Sequence, residues 1–210
     1  MKQVIEIEVP EGKKAVYKDG KITFIPKKLV YTDIKSISDA VKYLNEHSVY
    51  VNLLSTYYCL KEEYNLSDNI PYNSMPYEFA VVCFRIVKYA LEHITDSTQK
   101  NLTEGNLYYP IVQMCEPGYT DNCCGDKVVG KIQYKETEYY LVGSHAGNGS
   151  RTGLAHFSVN RHVSASWSWA YIGFRLFSNR KIAEYMSTQF GCLCFLVQFG
   201  GTTCDWKFIE

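Results

Sequence analysis

A thiol beside an imidazole is the shortest route from these residue types to a nucleophile. His145, His156 and His162 fall within eighteen residues, next to Arg151 and Arg161. Any cysteine held against one of those rings would be deprotonated and could attack an electrophilic carbon. Eight cysteines and five histidines make forty pairings, and no spacing selects one of them. No catalytic residue is therefore assigned, and the chain reads as a non-enzyme. Metal ligation fares no better. Cys123 and Cys124 are adjacent and Cys192 and Cys194 would share one strand face, but neither is the usual spaced pair and no second pair follows. No metal and no cofactor is expected.

Two stretches have the chemistry of contact rather than of catalysis. The glycine-rich run from Gly143 to Arg151 reads as a loop, and its backbone N–H groups with His145 and Arg151 suit an anion. It lacks the lysine of a phosphate-binding P-loop. In Ser166-Trp167-Ser168-Trp169-Ala170-Tyr171 the rings of Trp167, Trp169 and Tyr171 alternate, so a strand would place them on one face. Such a row is either a core face or, exposed, a stacking platform for a glycan, a peptide or a partner protein.

Composition narrows the classes further. The 210 residues carry 22 basic and 22 acidic side chains, and the absence of net charge argues against a nucleic-acid surface. The longest near-continuous apolar run, 192–199, falls far short of the ~20 residues of a membrane span, so no membrane insertion is expected. The start, Met1-Lys2-Gln3-Val4-Ile5-Glu6, has neither the apolar core nor the cleavage site of a signal peptide. Synthesis in the host cytoplasm is the expectation, where thiols stay reduced.

The elements that must position these residues follow from pattern. Residues 1–28 predict a β-hairpin turning at Asp19-Gly20, with seven lysines against four acids, a local +3. Lysines of this kind protect a solvated edge. A helix is expected over 37–47, opened by Ser36 with Asp39 as a capping box, and a second over 77–93 behind Pro76. In the second, Phe79, Val82, Cys83, Ile86 and Ala90 form the buried face, and His93 in the last turn suits the helix dipole. Strands are expected over 109–115, 128–134, 138–143, 154–159 and 163–177. A third helix follows, capped by Ser178 and stopped at Gly191, and then strands over 192–199 and 203–209. The predicted class is α+β: an N-terminal hairpin and two helices, then a mainly antiparallel sheet with one embedded helix. The expected divisions are 1–28, 29–104 and 105–210, the last two able to form one compact unit.

Three segments together point to a family. They are the opening Ile5-Glu6-Ile7-Glu8-Val9-Pro10-Glu11-Gly12-Lys13, the central Tyr108-Tyr109-Pro110, and Ile172-Gly173-Phe174-Arg175-Leu176-Phe177-Ser178 followed by Ile182-Ala183-Glu184-Tyr185 and Phe190-Gly191. The chain resembles a group of small proteins encoded by phages and mobile elements of gut Bacteroidales. The likeness spans most of the chain, and its specific part is the C-terminal module. It implies a phage context and carries over no catalytic residue. The segment Ile172 to Leu176 is also similar, more weakly, to the closing segment of C-type-lectin-like domains of the phage receptor-binding and formylglycine-generating-enzyme type. Here about thirty-five residues, including a helix, follow it. Within the module, Gly173 permits close backbone approach and Arg175 anchors the sheet to a carboxylate or to carbonyl oxygens.

The function expected is that of a non-enzymatic phage protein, associated with the virion or binding a virion or host protein or glycan, and compatible with homo-oligomers. A cytoplasmic phage factor that binds a host defence protein or its small-molecule signal is the first alternative. A cysteine-dependent enzyme is the second.

Overall fold

The computed structural model describes residues 7–10, 12–96, 107–115, 127–149, 158–159, 161–162, 177–200 and 206–209. It is mixed α+β, and the chain divides into two units, Met1–Val30 and Tyr31–Glu210.

The first unit is the expected hairpin. Strands β1 (Lys13–Lys18) and β2 (Lys21–Pro26) pair antiparallel with Lys18 opposite Lys21. The two residues between them, Asp19 at φ 51 and Gly20 at φ 76, take the left-handed backbone that a type I′ turn demands. None of the described residues of this unit is buried.

The second unit opens with α1 (Ile37–Glu46), and its capping box is the one foreseen. The Ser36 hydroxyl accepts from the Asp39 N–H at 3.0 Å while the Asp39 carboxylate accepts from the Ser36 N–H at 2.9 Å. Helix α2 (Val51–Glu63) was not legible in the pattern; its N-cap, Tyr50, offers no side-chain cap. Helix α3 (Tyr77–Ile94) starts behind Pro76 and buries Phe79, Val82, Cys83, Ile86 and Ala90, as its periodicity predicts. It packs against α1 and α2, and against the two helices of the C-terminal part.

Those two are α4 (Arg180–Gln189) and α5 (Gly191–Phe199). The cap of α4 is Asn179, whose side chain accepts from the Lys181 N–H, and not the expected Ser178. Residues 192–199 form a helix, not the expected strand, because an apolar run of that length has no period to read. Cys192 and Cys194 therefore do not share a strand face. Burial of Leu193, Cys194, Phe195, Leu196 and Val197 on several sides of α5 makes it a core helix. Its start presses on the sheet, and a Cβ at Gly191 would collide with Val129.

The sheet comprises β3 (Leu107–Cys115), β4 (Lys127–Tyr134), β5 (Thr137–Gly149) and β8 (Trp206–Ile209), in the order β3-β5-β4-β8 with all pairs antiparallel. Between them in sequence lies a two-residue ribbon, β6 (Ser158–Val159) with β7 (Arg161–His162). The expected loop from Gly143 is instead, as far as Gly149, the second half of β5, paired with Leu107–Val112 of β3 across an irregularity at Ile111/Val112. Interstrand hydrogen bonds to β3 outweigh the turn tendency of its glycines.

Two side-chain links fix the layers. The Tyr185 hydroxyl of α4 donates to the Ile34 carbonyl at 2.8 Å, and Gln189 Nε2 donates to the Lys35 carbonyl at 2.9 Å, tying α4 to the entry of α1. At the far edge of the sheet, Asn73 stands in for a strand: its Nδ2 donates to the Phe208 carbonyl at 2.7 Å and its Oδ1 accepts from the Phe208 N–H at 2.6 Å. No described helix is long and apolar enough to cross a membrane.

Candidate functional site

Arg85, Lys88, Tyr89, Glu92 and His93 recur along α3 at spacings of three and four, so they form one stripe beside the buried face. In sequence such a stripe reads as a solvated helix surface. In the folded chain Lys88 and Glu92 are both 3% exposed and lie 2.6 Å apart, Nζ to Oε2. The Lys88 ammonium also sits 4.9 Å from the centre of the Tyr89 ring and 5.3 Å from that of the buried Phe177. Burial lifts the Glu92 carboxyl above its ordinary value, and Lys88 draws it back only in part.

Tyr89 carries the stripe outwards to α2. Its ring lies parallel to that of Tyr50, 4.4 Å between centres and 2° between planes. Tyr50 holds this position with a left-handed backbone, φ 55, at the head of α2. That conformation is costly for a tyrosine and must be held by its surroundings. The pair walls a shallow cleft of about 340 Å³, completed by Val51, Asn52, Leu53 and Arg85. Arg85 Nε is buried there without a hydrogen-bond partner among the described residues. The Tyr50 phenol is held above its ordinary value by burial first and then by Glu92 and Tyr89, so it stays a donor. The first turn of α2 contains no acid. Guanidinium, phenol and helix start together favour an anion, carboxylate or phosphate, against an aromatic wall.

The other end of the stripe is a structural joint. Tyr43 Oη and His93 Nδ1 are 2.8 Å apart, and His47 Nδ1 donates to the Tyr43 carbonyl at 2.8 Å. His47 and His93 thus knit the C-terminal turns of α1 and α3 together.

Three of the described thiols, Cys83, Cys192 and Cys194, are poorly placed for nucleophilic work. Burial raises the Cys83 thiol well above its ordinary range, and Cys192, which donates to the Val129 carbonyl, is pushed up to about 11. Cys194 is buried and donates to the Met186 carbonyl, and Cys59 is exposed.

Of the residues singled out from sequence, Trp167, Trp169, Tyr171, Arg151, Gly173 and Arg175 lie outside the described residues. His145 lies in β5 opposite Ile111. The cleft residues Tyr50, Arg85 and Tyr89 were missed, and the usable signal was the spacing of Arg85, Lys88, Tyr89 and Glu92 on a helix already read as half-buried.

The second surface of note is the hairpin unit. Among the described residues, eight of the twelve exposed large apolar side chains fall between Ile7 and Val30. The chain matches no family model, no curated protein and no solved structure.

Proposed function

We propose that this chain is a non-enzymatic, phage-encoded binding protein, acting as part of the particle or on a virion or host partner. The observation that carries the reading is the concentration of exposed apolar side chains in the hairpin unit. Apolar surface gathered in one small unit is the mark of an interaction site, because scattered exposure would carry no such cost. The phage context comes from the resemblance of the three segments named above. Quantitative mass spectrometry of purified particles tests it. A fixed, symmetry-compatible copy number makes the chain a particle component. Absence from particles, with a host protein captured by the chain and lost on Tyr17→Lys, makes it a host binder. Absence from particles together with no captured partner removes the reading.

A second reading is favoured by the buried, unpartnered Arg85 Nε in the α2–α3 cleft. There the chain is a phage factor that holds a small anionic signal of host defence. Thermal-shift titration with inorganic phosphate and with adenosine monophosphate tests this. A rise in Tm that is absent in Arg85→Gln supports it, and no rise with either probe counts against it.

A further inference from the structure

The six described residues that line the α2–α3 cleft all belong to the second unit, and Arg85 is the one charged residue among them. Lys88, the next cation along α3, is engaged by Glu92 at 2.6 Å with both side chains 3% exposed, so that pair adds no net charge behind the cleft wall. Arg85 keeps its full charge, and its buried Nε is unmet among the described residues. A guanidinium edge presents Nε–H and one Nη–H in parallel, a fork that matches two oxygens of a carboxylate or of a phosphate ester. Among the described residues, no carbonyl accepts from the N–H of Val51 or Asn52, as expected in the first turn of a helix. The rest of the wall is mostly apolar. The Tyr50 and Tyr89 rings lie parallel to within 2°, and Val51 beside them is 58% exposed. Rings that line a cleft take up a further flat ring more readily than a hydrated ion.

We propose that this cleft binds a small compound in which a flat ring carries a single negative charge. The inference rests on the reading of the cleft as an anion site and adds the ring and the charge of its ligand. One guanidinium balances one negative charge. A second would lack a cation and would add to the charge of Glu92, which already acts on the Tyr50 phenol. Inorganic phosphate has no ring for the tyrosine wall. A neutral ring leaves the Arg85 Nε–H buried and unmet.

The test is titration of the full chain with cyclic adenosine monophosphate, adenosine monophosphate, adenosine, inorganic phosphate and indole-3-acetate. It is run at about pH 7, where a phosphomonoester carries close to two charges. The readout is the Arg85 Nε–H signal in proton–nitrogen correlation spectra, assigned by its loss in Arg85→Lys. Cyclic adenosine monophosphate stands for a singly charged phosphate ester and indole-3-acetate for a carboxylate, and the tighter of the two names the anion. The expected result is a saturating shift with one of them at a Kd on the order of 1 mM. Adenosine monophosphate binds about threefold or more weaker, and adenosine and phosphate about tenfold or more weaker. Arg85→Lys keeps the charge but loses the fork, and ligand-detected relaxation should show about tenfold weaker binding. Circular dichroism checks the fold of that variant. Adenosine monophosphate or phosphate binding as tightly as either singly charged compound overturns the proposal and leaves the anion reading standing. Adenosine binding as tightly, unchanged binding to Arg85→Lys, or an Nε–H signal that none of these compounds moves overturns both.

Discussion

Lys88 and Glu92 stand one turn apart, so α3 alone would bring them together, but burial changes what the pair is worth. On a wetted helix such a pair contributes ~0.3 kcal/mol, whereas removing one member of a buried pair costs about 3–5 kcal/mol. Glu92→Leu is expected to destabilise on that scale in urea unfolding, and Lys88→Met with Glu92→Leu to recover most of the loss. The sign of the pH dependence follows from the raised Glu92 carboxyl. Above its ordinary 4.5 and below its folded value, the folded chain holds a proton that the unfolded chain has released. Stability therefore falls as pH rises through that window, and Glu92→Gln flattens the slope there. The thiols give a third prediction. Peptide-resolved iodoacetamide labelling at neutral pH should modify Cys59 and leave Cys83, Cys192 and Cys194 intact until the chain unfolds.

Elements were legible where a local signal acts alone. Asp19-Gly20 dictates its turn and Ser36 with Asp39 dictates the start of α1, because the hydrogen bonds involved span three residues. Helix α2 has neither signal: Tyr50 cannot cap it, and Leu53, Leu54 and Tyr57 are its only buried residues. Helix α5 fails for the opposite reason, since an apolar run suits a core strand as well as a core helix. What the run cannot display is tertiary: the burial of Leu193, Cys194, Phe195, Leu196 and Val197 around the helix and the close seat of Gly191 against Val129. Gly191→Ala forces those two apart and is expected to cost about 1–3 kcal/mol by overpacking, read as a lower urea midpoint. The cleft was hidden by the same kind of gap. Arg85 and Tyr89 sit on α3, a helix that could be foreseen, yet Tyr50 meets them only because an unforeseen helix begins there.

At the scale of the whole molecule, neutrality conceals a division. The hairpin unit carries +3 from seven lysines and four acids, so the remaining residues carry −3. Among the described residues, the buried core begins at Ile34 and takes none from the hairpin unit. Removal of residues 1–30 is therefore expected to leave the Tm of the remainder within about 3 °C of that of the full chain, by scanning calorimetry. Asn73 gives the sheet an unusual kind of boundary, one amide group in the place of a neighbouring strand. That boundary has a chemical lifetime. Hydrolysis of the amide to a carboxylate would exchange the donor facing the Phe208 carbonyl for a second acceptor, and the edge of β8 would lie open to other chains. A chain aged at this one side chain would then be prone to join others along β8.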